Sequence, residues 1–169
     1  RKLANLWCNM NSSLALHEYS ILEIPFTPSY WTLFSKILVP VDDSSISYKA
    51  LHAALFLANK AGSEITVVHV LESVPTTYIE WKNTLEIDTA KGQVILDRCS
   101  EFAKQRNISI NTALLQGSPS STILNFAVKE NFDAIAIGSH GISGFKEHLL
   151  GSVSNKIVHL SSLPVLLIK

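Results

Sequence analysis

The sequence predicts a doubly wound α/β domain, a mainly parallel five-stranded sheet with helices on both faces. Three observations predict it. Short β-branched apolar runs without polar alternation recur along the chain, as in strands covered on both sides. Segments with helical apolar spacing separate those runs, so the crossovers that parallel strands need are present and right-handed. A glycine-rich stretch follows the fourth run, and sheets of this kind bind ligands beyond the carboxyl ends of their strands at the topological switch point.

Ile37-Leu38-Val39-Pro40-Val41 is the first run. Asp42, Asp43, Ser44 and Ser45 then offer N-cap candidates, and Ile46, Ala50, Leu51, Ala54, Leu55 and Ala58 follow at helical spacing with Gly62 as the stop. Ile65 to Leu71 is the second strand. A longer helix is expected over about Leu85 to Arg106, with apolar positions at Leu85, Ala90, Ile95, Cys99, Phe102 and Ala103 and a weak point at Gly92. Ile108 to Gln116 reads as the third strand. Gly117-Ser118-Pro119 makes a turn that places Pro at a first helical position, and Ile123, Leu124, Ala127 and Val128 mark a short helix ending at Asn131. Ala134 to Ile137 is the fourth strand. Val153, Ile157, Val158 and Leu160 fit a last helix, which Pro164 breaks before a final strand over Val165 to Ile168.

Arg1 to Phe34 is unlike the rest, with no clean period, Pro25 and Pro28 close together, and Trp7 and Trp31 among scattered Asn and Ser. It is set apart as an N-terminal extension, either poorly ordered or a docking arm, and residues 35–169 form the domain. The 169 residues hold 14 Lys plus Arg against 14 Asp plus Glu, so no basic field exists to hold a phosphodiester backbone, and nucleic acid is not an expected partner. Cys8 and Cys99 form no C-x-x-C pair, which excludes a disulfide framework and a metal knuckle. No apolar run approaches the ~20 residues of a membrane span and no signal-peptide pattern opens the chain. The expected compartment is the cytoplasm.

Chemistry concentrates after strand four, where Gly138-Ser139-His140-Gly141 precedes, by nine residues, Gly151-Ser152-Val153-Ser154 at the start of a helix. Glycines let backbone approach an anion, and a helix N-terminus supplies free N–H groups and a positive dipole end, so this is phosphate-binding material. The same residues also fit a plain turn and helix cap. G-x-x-x-x-G-K-[ST] is absent, and the spacing Gly138, Gly141, Gly144 is not G-x-G-x-x-G, so neither a P-loop engine nor a dinucleotide dehydrogenase is indicated. His140, His148 and His159 do not share a helical face, which argues against metal ligation. Asp42, His69 and the serines lack the G-x-S-x-G elbow of a hydrolase. Ser118, Ser120 and Ser121 read as capping material around Pro119, while Gly117 lies at the carboxyl end of strand three.

The G-x2-G-x9-G-S pattern, together with Lys36-Ile37-Leu38-Val39-Pro40-Val41-Asp42-Asp43-Ser44, Val68-His69-Val70 and Leu163-Pro164-Val165-Leu166-Leu167-Ile168, resembles the ATP-binding members of the universal stress protein family in order and spacing. The resemblance covers about four fifths of the chain. It implies a Rossmann-like, adenine nucleotide alpha-hydrolase-like fold and a role for each matching position. Pro40, Val41 and Ile137 would wall the base, and Val70 would present its backbone to the adenine. Asp42 would accept from the ribose hydroxyls, a role that competes with that of N-cap. Gly138, Gly141, Gly151 and Ser152 would hold the phosphates, with Val153 and Ser154 continuing that shell; His140 is a candidate on its own account, because it sits inside the glycine loop where a phosphate could meet it. A divalent ion, Mg2+ or Mn2+, would be held by the phosphates.

His69 lies within a predicted strand, where a hydrogen-bonded core histidine is the ordinary reading. No arginine or water-orienting group is evident for fast phosphoryl transfer, Lys146 and His148 being the basic residues of the loop. The expected function is that of an ATP-binding stress-response or signalling module with slow or no turnover, working as a homodimer paired through its last strand. The alternatives are a nucleotide-free dimerisation module and a weak ATP hydrolase or autophosphorylating protein with Ser152 or Ser154 as acceptor.

Overall fold

In the computed structural model the described residues are 34–72, 78–141 and 150–169, with the backbone alone for 78–84. The expected extension over residues 1–34 lies outside them apart from Phe34, as do Lys146 and His148. The chain runs β1 (Lys36–Pro40), α1 (Ser45–Ala61), β2 (Glu64–Leu71), α2 (Tyr78–Lys104), β3 (Asn111–Gln116), α3 (Pro119–Lys129), β4 (Ala134–Gly138), α4 (Ser152–Leu160) and β5 (Val165–Ile168). All pairings are parallel and the strand order is β3-β2-β1-β4-β5. The order reverses between β1 and β4, which makes their carboxyl ends the switch point.

The absence of polar alternation in the strands is explained by two separate cores. On one face Leu51, Ala54 and Leu55 of α1 and Leu96, Cys99 and Ala103 of α2 pack on Ile37, Val39, Ile65 and Val67. On the other, Ile123 and Ala127 of α3 and Ile157 of α4 pack on Leu38, Val68, Ile135 and Ile137. Alternate residues of β1 and β2 thus serve opposite layers, and full burial of a side chain such as Leu51 or Ile135 stabilises the fold by roughly 1.5–3 kcal/mol.

Helix ends follow local chemistry. Ser44 is the N-cap of α1, its hydroxyl accepting from the Ser47 N–H at 3.2 Å, so of the four candidates it is the one that caps. Gly62 closes the helix with φ 74°, its N–H bonded to the Ala58 carbonyl at 2.8 Å. At the end of α3, the Lys36 ammonium donates to the Glu130 carbonyl at 2.7 Å and lies 4.6 Å from the Phe132 ring centroid, tying β1 to the turn before β4.

Two elements differ from expectation. Helix α2 starts at Tyr78 rather than near Leu85, and β3 starts at Asn111 because Ile108 and Ile110, counted as strand, instead pack against the α1–α2 core. Gly92 sits inside α2 where a Cβ would come within 2.6 Å of Leu114 and 3.0 Å of the His69 ring. The missing side chain lets the helix lie close to the sheet there.

Burial raises the Cys99 thiol from 9.0 to about 11, with Asp43 adding to the effect. Tyr48 is raised from 10.0 to about 12, first by burial and then by its hydrogen bond to Asp43. Both groups release their protons at lower pH once the chain unfolds. The stability they contribute is therefore complete below pH 9 and declines as pH climbs toward their folded values of about 11 and 12. A melting temperature that falls across this alkaline range, and falls less steeply in Cys99→Ala and Tyr48→Phe, is the expected result of thermal melts. An unchanged slope in both variants would count against these groups as its source.

Candidate functional site

A cavity of about 510 Å³ opens at the carboxyl ends of β1 and β4 and extends along the end of β2 to the first turns of α3 and α4. Its size lies within the range of small-molecule sites. Every position expected from the sequence borders it: Pro40, Val41, Asp42 and Val70 on one side, Ile137, Gly138, His140 and Gly141 at the end of β4, and Gly151 through Ser154 at the start of α4.

The apolar side is built by strand geometry. Pro40 is the last β1 residue paired with β2, opposite Val68, and the Val41 N–H continues the ladder to the Val68 carbonyl at 2.8 Å. Residues of a parallel strand direct both backbone groups to alternate sides, so Val70 directs its N–H and C=O the same way as Val68, past the end of β1. Leu71 points oppositely and receives the Gly117 N–H at 3.0 Å. Val70 thus presents a donor and an acceptor beside Val41 and Ile137.

Asp42 stands at the junction. Its Oδ1 accepts from the Ser44 hydroxyl at 2.6 Å and the Ser44 N–H at 3.2 Å, while its own N–H faces the Ser47 hydroxyl at 3.4 Å. Ser44 caps α1, and Asp42 orients the cap residue instead of being it. A Cβ on Gly141 would lie 2.5 Å from Asp42 Oδ2, and one on Gly151 would lie 3.3 Å from the His140 Cα and 3.5 Å from the Gly141 nitrogen. The three segments therefore form one rim, Asp42 to Gly141 to Gly151, with glycine at each crossing.

At α4 the Gly151 N–H is held by the Ser139 carbonyl at 2.8 Å, and the cap residue, Gly151, has no side chain with which to cap the helix. The N–H groups of Ser152, Val153 and Ser154 lie in the first turn, where the helix itself supplies no acceptor, so this end attracts an anion. Ser152 is exposed, whereas Ser154 is buried and its hydroxyl donates to the Gly138 carbonyl at 2.7 Å, pinning α4 to the end of β4. Gly138 has a structural reason of its own: a Cβ there would sit 2.8 Å from Ile46 Cγ2 and 3.0 Å from the Ile46 carbonyl carbon.

Two of the described histidines line the cavity. His69 donates from Nδ1 to the Val41 carbonyl at 2.8 Å, the hydrogen-bonded arrangement expected for it. The Nδ1 of His140 is 2.7 Å from the hydroxyl of buried Ser139. The sequence reading missed Lys156 and Glu72, which also line the cavity, and excluded Ser118 and Ser120, which border it. Lys156 lies one helical turn beyond Ser152, an i,i+4 spacing that was available as a signal. Among the described residues no group of three His, Cys, Asp or Glu side chains could hold a metal ion. No described helix is long and apolar enough to cross a membrane.

Residues 33–169 match the universal stress protein family. Universal stress protein YxiE of Bacillus subtilis is 38% identical over 148 residues, covering 81% of this chain and all of that protein. The solved structure of MJ0577, a universal stress protein of Methanocaldococcus jannaschii, superposes with a TM-score of 0.72 at 27% identity and covers 81% of this chain and 96% of that one. An Archaeoglobus fulgidus universal stress protein in complex with dAMP gives a TM-score of 0.60 at 24% identity, with 81% of this chain and 99% of that chain covered. Further fold neighbours were solved with AMP, from Arabidopsis thaliana, and with cAMP. The five-stranded parallel sheet and the match over residues 33–169 establish that this chain belongs to the universal stress protein family.

Proposed function

We propose that this protein binds ATP in the cavity at the ends of β1 and β4 and acts as a nucleotide-dependent stress-response or signalling module. The observation that carries this reading is the rim in which Asp42 meets Gly141 and Gly141 meets the glycine-capped start of α4. Such a rim offers an acceptor for ribose hydroxyls at one end and N–H donors for phosphate at the other. Between them, Val41, Ile137 and the Val70 backbone suit an adenine face and edge. The adenine nucleotides carried by fold neighbours support the same ligand class.

The donors at α4 suit an anion and not a bare cation, so Mg2+ or Mn2+ would arrive with the phosphates and take its remaining ligands from water. Fast phosphoryl transfer needs an orienting group for water and a stabiliser of transferred charge. The basic side chains among the described cavity residues are Lys156, His69 and His140, with no arginine, which favours binding over turnover. Ser154 is ill placed as an autophosphorylation acceptor, because its hydroxyl is buried and bonded to Gly138; exposed Ser152 is the better candidate. Strand β5 is a sheet edge whose residues are only half-buried, compatible with a homodimer paired along Val165–Ile168. The cytoplasm suits such a module.

Calorimetric titration of ATP, AMP and cAMP into nucleotide-stripped protein with magnesium tests the reading, with sedimentation of the same samples for the dimer. Micromolar ATP binding with phosphate release no faster than that of a Gly141 and Gly151 double mutant is the expected result. Folded, dimeric protein that binds none of the three would identify a nucleotide-free dimerisation module instead.

A further inference from the structure

Asp43 separates the cavity residue Asp42 from the α1 cap Ser44, and its φ of 68° is in the left-handed region. Aspartate visits that region more readily than most residues but pays for it without local support. The support comes from outside the loop. Asp43 Oδ1 accepts from the Tyr48 hydroxyl at 2.7 Å, and Arg98 Nη1 of α2 reaches Oδ1 at 3.2 Å and Oδ2 at 3.3 Å. The side chains of Arg98 and Asp43 are 59% and 36% exposed, and an ion pair so exposed adds little to global stability. Its effect is local, on the peptide that joins Asp43 to Asp42.

The reversal over residues 42–44 is gripped from both sides. On the inside, Asp42 Oδ1 holds the Ser44 N–H and hydroxyl; on the outside, Asp43 is held by Tyr48 and Arg98. Between the two grips the Asp42 carboxylate is set with Oδ2 against Gly141. Release of the outer grip lets Asp43 leave the left-handed region, which turns the shared peptide and swings that carboxylate. Helix α2 meets the cavity wall a second time where Gly92 packs on the His69 ring, and His69 in turn holds the Val41 carbonyl.

We infer that Arg98 is a positioning residue for the bound nucleotide, acting through Asp43 on the Asp42 carboxylate and so on recognition of the ribose hydroxyls. This rests on the nucleotide reading above. Arg98 does not line the cavity, and its effect should therefore be selective for the sugar.

The test is calorimetric titration of ATP and of 2′,3′-dideoxy-ATP, with magnesium, into the full chain, Arg98→Ala and Arg98→Lys, with thermal melts of each. In Arg98→Ala the affinity for ATP should fall about five- to tenfold, the scale of one ordinary hydrogen bond, as expected when the acceptor is displaced and not removed, while that for the dideoxy analogue changes less than ~2-fold. Arg98→Lys, which keeps the charge, should recover part of the loss, and the melting temperature should stay nearly constant. Equal losses for both nucleotides, or none for either, would overturn the positioning role while leaving nucleotide binding intact. Failure of the unmodified chain to bind either nucleotide would overturn the nucleotide reading and this inference with it.

Discussion

Replacement of Ser152 by glutamate is expected to lower ATP affinity at least ~10-fold while leaving the melting temperature unchanged or slightly raised. The two effects have one cause. Ser152 is the first residue of α4, exposed, in a turn whose cap residue, Gly151, has no side chain. A carboxylate there sits at the positive end of the helix, worth about 0.3–1 kcal/mol in favour of the folded state. The same carboxylate occupies the donors meant for phosphate and repels its charge. Ser152→Gln, of equal size and no charge, should lose far less. Calorimetry and thermal melts on the three proteins separate the cases: ATP bound as tightly by Ser152→Glu as by the unmodified chain would remove the phosphates from the start of α4.

Much of this arrangement is legible in the sequence, and the parts that are not have physical reasons. The central strands β1, β2 and β4 are readable because both of their faces are covered, so their inner positions are mostly apolar, with Thr66 and His69 of β2 as exceptions. Edge strand β3 is not bounded correctly, because burial there is partial and the apolar Ile108 and Ile110 before it serve the core from an irregular segment. Spacing alone finds the glycines of the rim but not what each one does. Gly141 makes room for the Asp42 carboxylate, and Gly151 for the loop backbone at His140. Asp42, which competes on paper with three neighbours for the cap, is resolved only by the hydrogen bonds of Ser44. Arg98 is invisible to any local pattern, since it lies 55 residues from the aspartate it holds.

Gly138 and Gly141 belong to one sequence motif and are expected to respond oppositely to the same substitution. Gly138→Ala puts a methyl group 2.8 Å from Ile46 Cγ2 and 3.0–3.1 Å from the Ile46 carbonyl group, and a backbone in the first turn of α1 cannot step aside as a side chain can. Overpacking of this kind costs about 1–3 kcal/mol, a drop of roughly 5–10 °C in melting temperature for a domain of this size. Gly141→Ala instead meets only the Asp42 carboxylate, at 2.5 Å, with the rest of that side chain at 3.7 Å. A carboxylate turns on its own bonds, so the fold should lose little. Its displacement would nevertheless disturb the group placed to meet the ribose, and nucleotide affinity should fall. Melting curves and ATP titrations of the two alanine variants check both halves. Equal melting temperatures would mean that α1 yields at Ile46 and that Gly138 is not fixed by packing. Undiminished affinity in Gly141→Ala would mean that the contact between Gly141 and Asp42 is not part of the nucleotide site.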